Sequence, residues 1–488
     1  MERRQSTCLE PKNATVSTPE QFIAAFDSTT ITSVGCIGSG RVGVCTMATM
    51  AKRIPNVKFT VFDDDPYVVC SCQTGPLPFY EPDLDDLVAT VRGKNLFFTR
   101  SLEETVGQSQ VVFVCINTPL KTSGIGAGQA ADLSSWENAA RRIAVAAKGV
   151  CKIVVESTTM PIQTGETMRR ILDALAPNAF EVLSIPSFYR GGSALQLLES
   201  PERMLLGGSD SPTGKVASDA VVRLLGPWIA PEKIVRSNVW SAELAKLAQN
   251  AFIAQRITSV NAVSALCEKT GADLDEVMQV VSTDSRIGAG YLKACPGIGG
   301  GTLLHNIRML VYLCRYMRLH DVADYWNQTV VMDEYQRTRF ADNIVQTIGS
   351  IKGKRIAVLG FAYKPDTSRV QESPAIGLCR SLLLEGAKLA IYDPEVTDEN
   401  VLAQLPGPAA TQVQLCTSAL DAVAGADALV LVTGWKEFET LDMAAVHARM
   451  ARPAFVFDSR GFFDPARLEA LGFSVYRIGK PRPVPVSR

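Results

Sequence analysis

Residues 31–63 read ITSVGCIGSGRVGVCTMATMAKRIPNVKFTVFD. An apolar run at the start is typical of a buried strand, residues 44–51 suit a helix, and residues 58–63 indicate a second strand. The turn between the first strand and the helix is the glycine-rich motif GSGRVG at residues 38–43, and the second strand ends in Asp63. This strand–turn–helix–strand order predicts a dinucleotide-binding unit.

Each of the three glycines in this turn has its own predicted role. Gly38 permits the tight turn, Gly40 lets the backbone approach a pyrophosphate, and Gly43 lets the helix lie close to the strand. The helix N-terminus offers N–H groups and positive potential to phosphate. Asp63 is placed to accept hydrogen bonds from ribose hydroxyls and to repel a 2′-phosphate, so the sequence predicts NAD rather than NADP.

Apolar strands and helices continue to alternate on either side of a helical middle region. That region extends from residue 241 to about residue 318 and contains one long predicted helix, residues 242–267. The further predicted strands are residues 111–116, 152–155, 354–360, 389–393, 428–432 and 454–458. The pattern predicts an α/β fold with two Rossmann-like domains, each built on a parallel sheet covered on both faces, joined by a central helical domain.

Composition argues against several classes of function. Lysine and arginine number 49 against 50 aspartate and glutamate residues, so the net charge is -1 and no basic excess suggests nucleic acid. No apolar run has the length of a membrane span. The 12 cysteines form no Cys-x-x-Cys or His/Cys motif that would indicate a metal site. We therefore expect a cytoplasmic protein with reduced thiols, no metal and a small-molecule substrate.

Several distinctive motifs resemble one family and extend over nearly the whole chain. They are FYEP at 79–82, RGKNLFF at 92–98, NTP at 117–119, KLAQNAF at 246–252, DSRIG at 284–288 and FAYK at 361–364. In this order they are similar to the UDP-glucose 6-dehydrogenases of the UDP-glucose/GDP-mannose dehydrogenase family. The resemblance implies the NAD-dependent oxidation of the C6 alcohol of a nucleotide sugar to a carboxylate.

The resemblance also implies a domain organisation. It comprises a flexible N-terminal extension (1–30), an NAD-binding Rossmann domain (31–238), a central helical dimerisation domain (239–345), a C-terminal UDP-sugar-binding Rossmann-like domain (346–482) and a tail (483–488). The long central helix is expected to pair with its own copy through an isologous contact. The chain is therefore predicted to form a homodimer or a higher homo-oligomer.

Two residues of the family's first oxidation step are retained. In the family, a lysine and a water held by an aspartate and an asparagine take the alcohol proton and stabilise the oxyanion as hydride leaves. Lys246 and Asn250 match the lysine and the asparagine. Asn306 stands in place of the aspartate, so the resemblance implies a proton relay that lacks its carboxylate.

The groups of the second oxidation step are substituted. The family traps the aldehyde on a cysteine thiolate, forms a thioester and hydrolyses it with water activated by a glutamate. Thr302 stands in place of the cysteine, and Ser187 and Gly191 stand in place of two glutamates of the hydrolytic motif. A threonine hydroxyl is a poor nucleophile without a base. Cys295, seven residues earlier, is not expected to substitute for the missing thiol.

The remaining site residues follow from the resemblance alone. Arg286 is expected to reach the substrate of a neighbouring subunit, and Gly297, Gly299 and Gly300 are expected to keep the loop around the nucleotide. Additional contacts to NAD are implied for Thr118 and Thr159. Contacts to the substrate are implied for Phe188, Tyr189, Arg190, Arg286, Tyr291, Lys293, Lys364 and Arg460.

Three interpretations of the substitutions remain open. The chain could be an enzyme limited to one hydride transfer, a catalytically inactive relative that binds ligand or pairs with an active subunit, or a protein of assembly alone. Loss of carboxylates and gain of Arg190 make the predicted pocket more positive, which suits a more anionic substrate or reflects drift in an unused site. His305 is either an acid–base group or a neutral polar replacement, the latter being favoured.

Overall fold

The computed structural model describes residues 17–157, 164–189, 191–405 and 407–481. They form two compact units. The first comprises the described residues up to Gly124 together with Ala131–Ala248, and the second comprises Ile125–Ala130 together with the described residues from Gln249 onward. None of the described helices is long and apolar enough to cross a membrane.

The first unit is built on an eight-stranded sheet. Its strands are Ser33–Ile37 (β1), Lys58–Phe62 (β2), Leu96–Thr99 (β3), Val111–Val114 (β4), Lys152–Glu156 (β5), Phe180–Ser184 (β6), Met204–Gly207 (β7) and Ile234–Ser237 (β8). The spatial order is β3-β2-β1-β4-β5-β6-β7-β8, and only the β6–β7 pair is antiparallel. The strand order reverses between β1 and β4, and folds of this kind bind ligands at the carboxyl ends of such a pair.

Helices cover both faces of this sheet. Strands β4 and β5 are therefore buried along their whole length. They are Pro19–Phe26 (α1), Arg41–Arg53 (α2), Pro66–Thr74 (α3), Leu84–Val91 (α4), Leu102–Gln108 (α5), Ser134–Ala147 (α6), Thr164–Leu175 (α7), Ala194–Glu199 (α8) and Pro212–Leu225 (α9). A short 3-10 turn, Pro231–Lys233, precedes β8.

The described part of the N-terminal segment, residues 17–30, contains helix α1. In its described part, Thr18 caps α1 with a capping box. Phe22 and Phe26 are buried, and Arg223 Nη2 of α9 donates to Phe26 O at 2.7 Å. Two aromatic side chains four residues apart share one helix face, so even this short helix can dock. This part of the segment is therefore packed against the first unit through α1.

The second unit is built on a six-stranded parallel sheet. Its strands are Arg355–Leu359 (β9), Lys388–Tyr392 (β10), Val413–Leu415 (β11), Ala428–Leu431 (β12), Phe455–Asp458 (β13) and Ser474–Arg477 (β14). The order β11-β10-β9-β12-β13-β14 repeats the plan of the first six strands of the other sheet. The prediction of two Rossmann-like sheets with a helical region between them along the chain is confirmed.

Two long helices dominate the middle of the chain. They are Val239–Thr270 (α10), which crosses from the first unit into the second, and His320–Ile348 (α13). Neither contains proline or glycine, and α13 ends where Gly349 adopts a φ of +84°. The other helices of the second unit are Leu274–Thr283 (α11), Thr302–Tyr316 (α12), Pro374–Leu384 (α14), Asp398–Gln404 (α15), Ala419–Ala422 (α16), Lys436–Glu439 (α17), Met443–Arg449 (α18) and Pro465–Ala470 (α19), with a 3-10 turn at Gly407–Gln412.

A buried network joins the middle helices of the second unit to its sheet. The carboxylate of Glu268 on α10 accepts hydrogen bonds from Tyr476 Oη at 3.0 Å and from the Gly479 N–H at 2.9 Å. Arg339 Nη1 of α13 lies 3.1 Å from the same carboxylate. This network helps to hold the described residues from Gln249 onward in one compact unit, which includes most of the regions predicted as the central domain (239–345) and the C-terminal domain (346–482).

The segment Ile125–Ala130 belongs to the second unit although its neighbours in sequence belong to the first. Gly126 adopts a φ of +80°, and a Cβ atom there would lie 2.7 Å from the ring of Tyr312 on α12. Glycine is therefore required for this close approach.

Candidate functional site

The glycine-rich turn has the geometry that its sequence predicts. Gly38 adopts a φ of +104°, and a Cβ atom there would lie 2.7 Å from Cys115 O. A Cβ atom on Gly43 would lie 2.0 Å from Gly38 O, so only glycine lets α2 approach β1 this closely. Nothing lies within 4 Å of a Cβ atom built on Gly40. The open space beside Gly40, at the N-terminus of α2, fits a pyrophosphate.

Asp63 lies directly after β2 and is oriented by this turn. Its Oδ2 accepts hydrogen bonds from the Ser39 N–H at 2.9 Å and from Ser39 Oγ at 2.7 Å, while Oδ1 accepts from the Asp65 N–H at 3.1 Å. An ionised carboxylate has about four acceptor sites, so capacity remains for a ribose hydroxyl. Thr118 is half-buried in the loop that follows β4, and Thr159 lies outside the described residues.

Glu81 of the FYEP motif anchors the loop at residues 186–189 and 191–194. It is buried, and its two carboxylate oxygens accept hydrogen bonds of 2.8 Å from the backbone N–H groups of Gly192 and Ala194. Arg41 Nε lies 3.5 Å from Glu81 Oε2. The motif therefore has a structural role, which is to hold this loop against the dinucleotide-binding region.

Tyr189 and Ser187 fasten the same loop further. The hydroxyl of Tyr189 lies 2.8 Å from Thr46 Oγ1 and donates to Val42 O at 2.9 Å, and burial raises the pKa of Tyr189 well above its ordinary value. This side chain, expected to bind substrate, directs its hydroxyl into α2. The Ser187 N–H donates to Ser157 O at 3.2 Å. Arg190, also expected to bind substrate, lies outside the described residues.

Two cations lie against the ring of Phe188. Lys246 Nζ is 4.9 Å from the ring centroid, and Arg203 Cζ is 5.3 Å from it. Cations attract the face of an aromatic ring by roughly 0.5–2 kcal/mol, depending on how far they are desolvated. The Phe188 ring thus helps to hold the ammonium group of the retained lysine. Arg203 was missed by the sequence analysis, and no local pattern distinguishes it.

A buried carboxyl pair lies near Lys246 and was also missed. Glu243 precedes Lys246 by three residues on α10, and its Oε1 accepts hydrogen bonds from Thr164 Oγ1 at 3.1 Å and from the Gly165 N–H at 2.9 Å. Glu156, at the end of β5, is fully buried. Burial and the neighbouring Glu243 carboxyl raise the pKa of Glu156 well above its ordinary value. A protonated Glu156 allows the two carboxyl groups to remain close together.

In the second unit, the side chains of two asparagines expected to act in catalysis are hydrogen-bonded to each other. Asn250 Nδ2 donates to Asn306 Oδ1 at 2.9 Å, and Asn250 is buried. Thr302 is the first residue of α12, one turn before Asn306, and is exposed. The preceding residue, Gly301, adopts a φ of +77°. Thr302, Asn250 and Asn306 are thus positioned by helix α12 and its partner α10.

His305 is held among charged groups in the second unit. Its Nε2 lies 3.9 Å from Glu372 Oε1, and Arg308 Nη1 lies 3.1 Å from the same oxygen. Burial lowers the pKa of His305, an effect that the Glu372 carboxylate partly offsets. A lowered pKa favours the neutral imidazole, which supports the interpretation of His305 as a neutral polar residue.

The loop that precedes α12 is fastened by buried polar side chains. The Cys295 N–H donates to Asn261 Oδ1 at 3.0 Å, and the Ile298 N–H donates to Asp333 Oδ1 at 2.7 Å. Cys295 Sγ lies 3.5 Å from Gly297 O. A Cβ atom on Gly299 or on Gly300 would lie within 2.7 Å of the Tyr363 side chain. These contacts require the small residues in this loop.

The other expected substrate contacts fall into two groups. Lys364 and Arg460 lie in loops that follow β9 and β13, where Lys364 Nζ is 6.0 Å from the Tyr363 ring and Arg460 Nε donates to Val432 O at 2.9 Å. These loops are at the carboxyl ends of the strands, where ligands bind. The other group is exposed and comprises Arg286, Tyr291 and Lys293; the Arg286 side chain is 87% exposed and pairs with Asp284.

Profiles of one family match three consecutive parts of the chain. The UDP-glucose/GDP-mannose dehydrogenase family matches with its NAD binding domain at residues 32–224, its central domain at residues 240–335 and its UDP binding domain at residues 357–465.

Curated proteins similar to this chain include plant enzymes. UDP-glucose 6-dehydrogenase 1 of Oryza sativa subsp. japonica is 43% identical over 465 residues, which is 91% of this chain and 96% of that protein. UDP-glucose 6-dehydrogenase 1 of Arabidopsis thaliana is 44% identical over the same shares of both chains.

Solved structures agree with this match. A UDP-glucose dehydrogenase from Pyrobaculum islandicum has a TM-score of 0.82 at 26% identity, covering 93% of this chain and 99% of that one. A UDP-D-ManNAc dehydrogenase from Pyrococcus horikoshii has a TM-score of 0.76 at 22% identity, covering 92% and 99%, and supports the fold alone. With a dinucleotide-binding turn of the required geometry, three matching domains and this degree of identity, the chain belongs to the UDP-glucose/GDP-mannose dehydrogenase family and uses NAD.

Proposed function

We propose that this chain is an NAD-dependent oxidoreductase that transfers a single hydride from a nucleotide sugar or a related anionic alcohol. The observation that carries this proposal is the threonine at position 302, an exposed residue at the start of α12 in place of the family's nucleophilic cysteine. A thioester intermediate requires a thiolate, which a threonine hydroxyl cannot supply at neutral pH without a strong base.

Candidate bases near Thr302 on α12 are unsuited to activating its hydroxyl. Asn306 has an amide in place of a carboxylate, and its oxygen accepts a hydrogen bond from Asn250. The Nε2 atom of His305 is directed toward Glu372, 3.9 Å from its Oε1 atom, and Arg308 pairs with the same oxygen. In the first unit, Ser187 replaces the glutamate that activates water in the family. The second oxidation and the hydrolysis therefore both lack their chemical groups.

Cys295 is a poor substitute for the missing nucleophile. Its Sγ is buried and lies within hydrogen-bonding distance of Gly297 O, and its backbone N–H and C=O are bonded to Asn261 and Gln336. To attack an aldehyde, this thiol would have to leave its contact with Gly297 O and become exposed. This supports a reaction that ends at the aldehyde or ketone.

The first oxidation step retains its two principal groups. NAD, when bound at the turn of residues 38–43, supplies the hydride acceptor. We assign Lys246 the role of stabilising negative charge as it develops on the alcohol oxygen, and Asn250 the role of orienting that oxygen by a hydrogen bond. The two residues are one turn apart on α10, so they lie on the same face of the helix. Asn250 keeps a second amide N–H for this purpose.

The remaining assignments complete this proposal. We assign cofactor contacts to Gly38, Gly40, Gly43, Asp63, Thr118 and Thr159. Contacts to a nucleoside diphosphate sugar are assigned to Phe188, Arg190, Arg286, Tyr291, Lys293, Lys364 and Arg460. Tyr189 is assigned an indirect role, because its hydroxyl is bonded within α2.

The proposal is tested by a screen of UDP-sugars and other anionic alcohols for NADH production. We expect one NADH per sugar and a carbonyl product by mass spectrometry. Replacing Lys246 with alanine should lower turnover by roughly two orders of magnitude or more, as loss of an oxyanion-stabilising donor does, while NAD affinity changes little. Lys269→Ala, at an exposed position on the same helix, is the matched control.

Other outcomes would select among the remaining interpretations. Two NADH per sugar with a carboxylate product would refute the proposal in favour of the family's full oxidation. Thr302→Cys alone should not restore that reaction, because Ser187 and Asn306 still lack carboxylates. No turnover with any substrate, together with retained NAD binding and tight association with an active family member, would instead indicate an inactive subunit.

A further inference from the structure

The loop at residues 186–189 and 191–194 connects the dinucleotide-binding helix to the retained lysine within the first unit. One end of the connection is α2, to which the loop is bonded through the Tyr189 hydroxyl. The other end is the Phe188 ring, 4.9 Å from Lys246 Nζ. Movement of this loop relative to α2 would therefore move the ring on which the ammonium group lies.

Arg41 lies beside this loop at Gly191. It is the first residue of the helix and follows Gly40 of the phosphate-binding turn. A Cβ atom on Gly191 would lie 2.1 Å from Arg41 Nη1 and 3.2 Å from its Cζ. The guanidinium group and a side chain at position 191 therefore exclude one another.

The guanidinium group is fixed in this position by three contacts. Nη2 donates to Tyr80 O at 3.3 Å, Nε lies 3.5 Å from the buried Glu81 carboxylate, and Cζ lies 5.9 Å from the Phe79 ring. The Arg41 side chain is only 16% exposed. Since Glu81 also holds the N–H groups of Gly192 and Ala194, Arg41 and the loop share one buried anchor.

We propose that Arg41 is a positioning residue that couples NAD binding at the turn of residues 38–43 to the placement of the Lys246 ammonium group against Phe188. A pyrophosphate at the N-terminus of α2 fixes the first turn of the helix, and with it the base of the Arg41 side chain. Arg41 then fixes the loop at Gly191. The inference rests on the proposed role of Lys246, but the contacts that carry it do not depend on any substrate.

The coupling can be measured without turnover, through the chemical reactivity of Lys246. The full-length protein is labelled with trace acetic anhydride, with and without NAD at concentrations at least tenfold above the dissociation constant that calorimetry gives for each variant, and acetylation of Lys246 is quantified by mass spectrometry. We expect NAD to change the labelling rate severalfold in the unmodified protein. If bound NAD shields Lys246 directly from acetic anhydride, it does so equally in every variant. Differences between variants in the NAD effect therefore report the coupling alone.

Two substitutions break the contact from opposite sides. Arg41→Gln removes Nη1 and Cζ, while Gly191→Ala displaces the guanidinium group and leaves the phosphate-binding turn unchanged. We expect each to reduce the NAD effect on Lys246 labelling to less than half, and the double variant to show no further loss, because both remove one interaction. Gly75→Ala is the matched control, since its Cβ would lie no closer than 3.7 Å to any neighbour.

Substitutions at Phe188 test the second link. Phe188→Leu should abolish the NAD effect on labelling, and Phe188→Tyr, which keeps the aromatic ring, should retain it. An undiminished NAD effect in both Arg41→Gln and Gly191→Ala would overturn the proposal, as would effects that simply add in the double variant. Failure of Lys246→Ala to alter turnover would count against the proposed function alone, because the labelling result does not involve catalysis.

Discussion

Lys152 is a buried cation at the start of β5, and its Nζ donates to Ser109 O at 2.6 Å. Burial lowers the pKa of Lys152 from 10.5 to about 8. In the unfolded chain the amine binds its proton up to about pH 10.5, so the unfolded state binds more protons between pH 8 and 10.5. The contribution of Lys152 to the free energy of unfolding therefore becomes more favourable to the folded state as pH rises from 8 to 10.5.

We accordingly expect Lys152→Met to stabilise the protein at pH 7. The gain is at most about 3 kcal/mol, the value of a pKa shift of this size, less the lost hydrogen bond. The difference between variant and unmodified protein should narrow as pH rises from 8 to 10.5. Denaturant unfolding at several pH values measures it, and a variant that is equally less stable at every pH would contradict the assignment.

Asp63 is the residue expected to select the cofactor. Its carboxylate faces the phosphate-binding turn, and a 2′-phosphate nearby would be repelled. We expect NAD to bind at least about tenfold more tightly than NADP, and Asp63→Asn to narrow this preference while keeping the hydrogen bond from the Ser39 N–H. Fluorescence titration with both cofactors checks this. Equal affinities in the unmodified protein would refute it.

At the level of single residues, the sequence predicted those whose role depends on local backbone geometry. Gly38 and Gly43 belong to a turn of fixed spacing, and the structure shows the close approaches that require them. Arg203 and Glu156 could not be found in this way. Their roles depend on Phe188 and Glu243, which other elements bring to them through tertiary packing.

Among the elements, those with a strong apolar or helical pattern were predicted well. The predicted helix at residues 242–267 is part of α10, and the predicted strands at residues 152–155 and 428–432 match β5 and β12 within a residue. Strand β8 was missed because it is short and two of its four residues are exposed. A half-exposed strand of this length lacks the continuous apolar run that marks a buried one.

Glu268 on α10 accepts a hydrogen bond from Tyr476 on β14. The contribution of this contact to the stability of the second unit can be measured. Glu268→Gln leaves Arg339, whose side chain is 11% exposed, without its anionic partner. We expect a loss of about 2–4 kcal/mol in the free energy of unfolding of the second unit, since breaking a buried ion pair from one side is strongly destabilising. Denaturant unfolding monitored by limited proteolysis of this unit measures it.

The ion pair between Asp284 and Arg286 provides the comparison for this substitution. The Arg286 side chain is 87% exposed, so Asp284→Asn should leave the free energy of unfolding nearly unchanged. If the substitutions at Glu268 and Asp284 had the same small effect, the buried network would not hold the helices to the sheet.

For the whole molecule, the predicted homo-oligomer has a candidate contact surface on the central helices. Phe252 on α10 and Tyr325 on α13 are 60% and 56% exposed, and both rings lie within 6 Å of Trp326. Large exposed aromatic groups are typical of protein interfaces. We expect Phe252→Glu to weaken self-association, with no loss of helix content.

Sedimentation velocity at micromolar concentration tests this prediction. The unmodified protein should sediment as a dimer or a larger oligomer, and the variant should shift toward the monomer. Arg256→Gln, a nearby change on the same helix that leaves the aromatic rings intact, serves as a control. If the unmodified protein is a monomer, there is no such contact. If the Phe252→Glu variant keeps the mass of the unmodified oligomer, the contact lies elsewhere on the surface.

At this scale the sequence predicted the order along the chain of two Rossmann-like sheets and a helical middle. It did not predict that the helical middle and the second sheet pack together in one compact unit. The contact between Glu268 and Tyr476 joins residues 208 positions apart. Local patterns carry no information about such a pair, because each residue has a plausible role in its own element. The composition of the second unit therefore became evident only from the structure.

The short segment Ile125–Ala130 has a consequence for synthesis on the ribosome. It is translated with the first unit but packs against Tyr312, which emerges about 190 residues later. At roughly 5–20 residues per second, this interval lasts on the order of ten to forty seconds. The first sheet can form during this time, while the segment remains a loop without its packing partner. During translation, this segment should therefore reach its final position only after α12 has left the exit tunnel.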